Sequence, residues 1–196
     1  MSNSTSSLLL ISAFILLTSA CSNDDPRSED DSSLNRSADD PPANHSVSGL
    51  EKAPDFEVTT IDGEKISLQA TIDEEQPLVI YFTASWCPVC ARNWPVLSEL
   101  YPDYKDRLNL VAIGIDPDDD EAVMRKLSRE QNFTFPVTAG IPGIMEEFGV
   151  TSQATTVGIN RDGYITFKTN KSALSAEEFR ALFDGLLNQT RSNQQM

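Results

Sequence analysis

The order of periodic segments predicts an α/β fold: a mixed sheet flanked by helices, preceded by an N-terminal β-hairpin. Three observations carry this. Two apolar, β-branched runs, residues 78–83 and 108–115, are each followed by a helical pattern. Two pairs of alternating segments close around the turn signals Asp62-Gly63 and Arg161-Asp162-Gly163. The stretch Trp86-Cys87-Pro88-Val89-Cys90 stands where the first apolar run gives way to a helix.

Each element follows from its own residues. Phe56-Glu57-Val58-Thr59-Thr60 and Lys65-Ile66-Ser67-Leu68 alternate and form the first hairpin. Leu78-Val79-Ile80-Tyr81-Phe82 reads as a buried strand, and residues 88–104 as a helix kinked by Pro95. Residues 108–115 are a second buried strand. The loop Asp116-Pro117-Asp118-Asp119-Asp120 leads into a helix over 120–131, and its acids read as a solvated cap suited to a helix N-terminus. Phe135-Pro136-Val137 is a short extended piece. A brief helix over 144–148 ends at Gly149. Thr155-Thr156-Val157-Gly158-Ile159 and Tyr164-Ile165-Thr166-Phe167 form the second hairpin. The last helix starts at Ser175, with Glu178 completing a capping box. Its stripe of Phe179, Leu182, Phe183, Leu186 and Leu187 is core packing.

The ends have a different character. Residues 8–17 are an apolar run too short to span a bilayer comfortably, and Thr18-Ser19-Ala20-Cys21 follows. This looks like a bacterial lipoprotein signal over residues 1–20, cut before Cys21, whose thiol is then acylated. Three cysteines are an odd number for an exported protein, and lipidating Cys21 leaves one pair. No Lys or Arg precedes the apolar run, which departs from ordinary export signals. The alternative is a short uncleaved anchor. Residues 21–50 read as a disordered acidic tether, poor in hydrophobes, with a reach of roughly 30 Å. His45 lies within it and reads as inert. The folded domain is expected over 51–190, with a polar tail at 191–196. The net charge of −15 argues against nucleic acid and anionic lipid as partners. It is compatible with a basic partner or simply with solubility.

The cysteine pair carries the chemistry. Pro88 suits the first turn of a helix, so Cys87 is expected at a helix N-terminus, where the dipole and free N–H groups stabilise a thiolate. Cys90 lies one turn in, on the same face and less exposed. One attacking and one resolving sulfur are what thiol–disulfide exchange needs. A zinc half-site would need a second such pair or two histidines, and the chain has one other cysteine and one histidine, both in the tail. A purely structural disulfide is the other plain reading.

Phe82 through Cys90, the Ala53-Pro54-Asp55-Phe56 entry and the segment from Thr155 to Gly163 resemble TlpA/ResA-like thiol–disulfide oxidoreductases of the thioredoxin superfamily. The resemblance covers about residues 51–190. It implies a thioredoxin-like sheet and a lipid-anchored, extracytoplasmic enzyme of a bacterial membrane, periplasm-facing in a Gram-negative cell. Its partners would be exported protein disulfides and an electron-donating thiol protein, with no cofactor and no metal. Cys87 would attack, Cys90 would resolve, Trp86, Pro88 and Val89 would border them, and the Gln153 backbone would pair with extended substrate.

Three positions depart from the family pattern. Ala154 stands where the family has a cis-proline, and a trans bond is expected there because a non-proline cis bond costs roughly 3–4 kcal/mol. Its N–H, absent in proline, is expected near the sulfurs, or the loop shifts to expose Cys90. Asn93 replaces a usual Glu, and Tyr81 stands where thioredoxins proper have a buried Asp. No carboxylate is then left to accept the Cys90 proton, so water, Tyr81 as a hydrogen-bond donor, or the substrate thiol would serve. Two alternatives remain from sequence. One is a peroxiredoxin-like peroxidase, suggested by Thr83 before Cys87 but lacking the Pro-x-x-x-Thr-x-x-Cys motif. The other is a non-enzymatic metal-binding or redox-silent module of the same fold.

Overall fold

The computed structural model describes residues 50–169 and 173–189. The signal, Cys21, the tether up to residue 49 with His45, and the polar tail lie outside the described residues. Among the described residues no helix is long and apolar enough to cross a membrane.

The elements run β1 (Glu51–Lys52), β2 (Glu57–Thr59), β3 (Lys65–Ser67), α1 (Leu68–Asp73), β4 (Leu78–Thr83), α2 (Pro88–Tyr104) and β5 (Asn109–Gly114). They continue α3 (Glu121–Glu130), β6 (Val137–Gly140), α4 (Ile144–Glu147), β7 (Thr156–Ile159), β8 (Tyr164–Lys168) and α5 (Ala176–Leu187). The main sheet has the order β1-β8-β7-β4-β5-β6, and β2 and β3 form a separate hairpin. β4 pairs parallel with β5 and antiparallel with β7, and β5 pairs parallel with β6. The mixed sheet expected from the element order is therefore present.

β4 sits at the centre because every one of its side chains is buried. Its residues alternate between two cores. Val79 and Tyr81 join Leu97 and Leu100 of α2 and Phe179, Phe183 and Leu186 of α5. Leu78, Ile80 and Phe82 join Phe56 and Val58 of the hairpin region, Ile144 of α4 and Phe148. Each fully buried Leu or Phe contributes about 1.5–3 kcal/mol relative to an exposed one. The Ser175–Glu178 capping box forms in full, with both reciprocal hydrogen bonds.

Two short elements differ from expectation. Leu68 does not extend the hairpin strand but begins α1. The Ser67 hydroxyl accepts the Ala70 N–H at 3.1 Å and caps that helix. Leu68 and Thr71 then face inward at helical spacing. β1 is a two-residue edge strand against β8, in register Glu51↔Ile165 and Lys52↔Tyr164.

Candidate active site

Parallel neighbours bring the loops at their C-terminal ends side by side, so the turn after β4 meets the loop after β5. The β4 turn is held at successive residues. Ile115 N–H donates to the Thr83 carbonyl at 3.0 Å, and Cys87 N–H donates to the Ala84 carbonyl at 3.1 Å. Ser85 N–H donates to Asp119 Oδ2 at 2.8 Å. Trp86 Nε1–H donates to Asp116 Oδ2 at 2.5 Å.

Cys87 is the N-cap of α2, with φ −81° and ψ 112°, and Pro88 occupies the first turn. Cys87 and Cys90 form a disulfide with Cα atoms 5.2 Å apart. The Cys90 N–H donates to Cys87 Sγ at 3.1 Å. A cap hydroxyl would occupy the same place, and a thiolate there accepts the same bond more strongly. The expected difference in exposure between the two cysteines is almost absent: Cys87 is 1 % exposed and Cys90 0 %. Both lie in one cluster with Ala84, Trp94 and Ala154. The asymmetry resides in position instead, since Cys87 caps the helix and Cys90 supplies an N–H to it.

The remaining candidates divide into three groups. Trp86 is 58 % exposed, Pro88 is exposed, and Val89 packs partly on the core. Gln153 is half-buried, and its backbone makes no hydrogen bond among the described residues. Ala154 is buried in the same core cluster as the two cysteines, with φ +60°. Its N–H does not serve them: it donates to the Phe82 carbonyl at 2.8 Å, while Phe82 N–H donates to the Thr155 carbonyl at 3.0 Å. That pairing prolongs the β4–β7 ladder, and Cys90 is fully buried, contrary to the expected sulfur donor or exposed Cys90.

Tyr81 and Asn93 form a buried polar pair. Asn93 Nδ2–H donates to the Tyr81 hydroxyl at 3.2 Å, and Asn93 Oδ1 accepts the Leu174 N–H at 2.9 Å. Burial pushes the Tyr81 phenol well above its ordinary value, which the Asn93 hydrogen bond offsets only in part. Tyr81 therefore stays protonated at neutral pH, and Asn93 ties α2 to the approach of α5. Thr83, the hydroxyl at peroxidase-like spacing, instead accepts Trp94 Nε1–H at 3.0 Å.

The acidic loop holds what sequence reasoning missed. Only Asp120 behaves as the expected cap, accepting the Val123 N–H at 2.9 Å. Asp119 is 3 % exposed and faces the reactive turn. Asp116 clamps Trp86, and its carboxyl is held below the usual aspartate range by the Asp118 N–H first and the Trp86 indole second. A run of aspartates carries no sign of which one turns inward.

The AhpC/TSA family model matches residues 50–168. The thioredoxin-like protein YneN of Bacillus subtilis is 31% identical over 116 residues, 59% of this chain and 67% of that protein. The thiol-disulfide oxidoreductase ResA of Bacillus thuringiensis subsp. konkukian is 29% identical over 116 residues, 59% of this chain and 65% of that protein. The match thus spans about two thirds of each relative's length. Among solved structures, a thiol:disulfide interchange protein of the thioredoxin family from Chlorobium tepidum superposes with a TM-score of 0.64 at 19% identity. It covers 73% of this chain and 100% of that one, a likeness of fold.

Proposed function

The chain belongs to the AhpC/TSA family, and from that premise we propose an extracytoplasmic, membrane-tethered reductase of protein disulfides working through Cys87 and Cys90. The enzyme is a thiol–disulfide oxidoreductase, as its named relatives are. The observation that carries the reading is the Cys87–Cys90 disulfide at the start of α2, with the Cys90 N–H on Cys87 Sγ.

In the reduced protein the Cys87 thiolate attacks a substrate disulfide. A Cys87–substrate bond forms, the substrate S–S bond breaks, and the departing sulfur takes a proton. Cys90 then gives up its proton and attacks Cys87 Sγ, which closes the internal disulfide and frees the second substrate thiol. Two electrons pass to the substrate, and a thiol partner outside the cytoplasm restores them. The unbonded backbone of Gln153, next in sequence to the buried Ala154, suits pairing with an extended substrate segment. Exposed Trp86 supplies an apolar surface for docking. Tethering is supported by the apolar run at 8–17 followed by Cys21.

The test uses the full chain in membranes of an expressing cell. Reduction of a model disulfide is expected from the parent and none from Cys87→Ser, while Cys90→Ser accumulates mixed disulfides with exported proteins. Labelling with radioactive palmitate is expected to vanish in Cys21→Ala. Parental activity in Cys87→Ser would sink the proposed chemistry, and unchanged labelling in Cys21→Ala would sink the lipid anchor.

A further inference from the structure

The loop after β5 holds the reactive turn from outside, and its own position is fixed by a third strand. Asp119 N–H donates to the Asp116 carbonyl at 3.0 Å, and its own carbonyl accepts the Gly140 N–H from β6 at 2.8 Å. Gly140 leaves no room for a Cβ against the Asp116 carbonyl, so the loop lies flush on β6. From this seat the Asp119 carboxylate, 3 % exposed, accepts the N–H of Ser85. Ser85 is two residues before Cys87. A polar side chain at that depth is costly unless it is hydrogen-bonded, and the Ser85 N–H supplies that bond.

We infer that Asp119 is a positioning residue for the Cys87 nucleophile. Its side chain transmits the fixed position of β6 to the 84–87 turn and holds Cys87 Sγ where the Cys90 N–H meets it. This rests on the redox reading of Cys87. The role belongs to the acceptor oxygen, so it separates from simple filling of space. Asparagine keeps an acceptor of the same reach, whereas alanine removes it.

The experiment measures, on the full chain reduced beforehand, the second-order rate constant for attack on oxidised glutathione, normalised to the folded fraction from urea unfolding. Asp119→Ala is expected to slow attack by about tenfold or more, given that misplacement by an ångström costs on the order of 100-fold. Asp119→Asn is expected within about threefold of the parent, and amide exchange at Ser85 should stay protected in Asn and become fast in Ala. If the alanine variant does not fold, Asp119→Gln, whose longer side chain is out of register with Ser85, carries the same expectation of slow attack. Equal rates in parent and alanine variant, or in parent and Gln where Ala does not fold, overturn the inference. So does an asparagine variant as slow as the alanine or Gln one, because the acceptor would then not be what matters. A parent that fails to react at all overturns the redox reading instead, which keeps the two failures apart.

Discussion

The backbone N–H of Ala154 donates to the Phe82 carbonyl at 2.8 Å from a left-handed conformation, φ +60°. Proline fits neither half of this relationship. It has no N–H, and its ring fixes φ near −65°. Ala154→Pro is therefore expected to destabilise the fold, although it would restore the residue usual in TlpA/ResA-like proteins. Depriving the Phe82 carbonyl of this donor costs about 1–3 kcal/mol before any rearrangement of the loop. Ala154→Gly is expected to be neutral or stabilising, since relief of a left-handed penalty of about 1–2 kcal/mol exceeds or matches glycine's extra chain entropy of about 0.5–1 kcal/mol. Urea unfolding midpoints at constant m-value measure both. A proline variant as stable as the parent would refute the described pairing.

The Asp116–Trp86 contact predicts a pH signature. Hydrogen bonds from the Asp118 N–H and then the Trp86 indole favour the carboxylate, so the folded pKa lies below the unfolded one. The contribution is then fully present above the unfolded value and is lost as pH falls through the lower folded value. Trp86 fluorescence should hold steady from neutrality to about pH 5 and change only below about pH 4. Asp116→Asn should abolish that transition. Trp86→Phe should abolish it too, because Trp94 is buried and bonded to Thr83. A transition that persists in Asp116→Asn assigns it elsewhere.

These two sites show what could be read from sequence and what could not. β4 and α2 were legible because a fully apolar β-branched run and a proline after Cys87 act locally. The helix at Ser175 was legible because its capping box is a local exchange of hydrogen bonds. α1 escaped because six residues make under two turns, too few for periodicity to stand out from an alternating strand. The conformation of Ala154 left no trace, since alanine, unlike glycine, does not signal a positive φ. Asp119 was illegible for a different reason. Its inward turn depends on β4 and β5 being parallel neighbours, with β6 on the far side of β5, which is a property of the assembled sheet.

Asn93 joins three elements, so its loss should be felt away from the cysteines. Its amide donates to the Tyr81 hydroxyl on β4 and accepts the Leu174 N–H before α5. Asn93→Ala leaves the Leu174 N–H without this acceptor and is expected to cost about 1–3 kcal/mol. Hydrogen exchange should show the Leu174 amide losing protection first, before the strands of the sheet. Unchanged protection at Leu174 would contradict the tie.

Phe148 offers the complementary test, in which stability and chemistry part. Its ring meets Phe56 at 5.3 Å and Phe82 at 5.6 Å, both edge to face, and it is fully buried. Phe148→Ala removes contacts to the region before the hairpin and to the central strand at once, and should cost about 3–5 kcal/mol. The loss falls in the core formed by Ile80 and Phe82, while the cysteines belong to the core formed by Val79 and Tyr81 on the other side of β4. The thiol–disulfide exchange rate per folded molecule should therefore stay within about twofold of the parent, a bound allowing for the modest coupling expected between distant sites. Thermal unfolding and stopped-flow exchange on one sample measure the pair. A large fall in intrinsic rate alongside the fall in stability would mean that the two faces of β4 do not act independently.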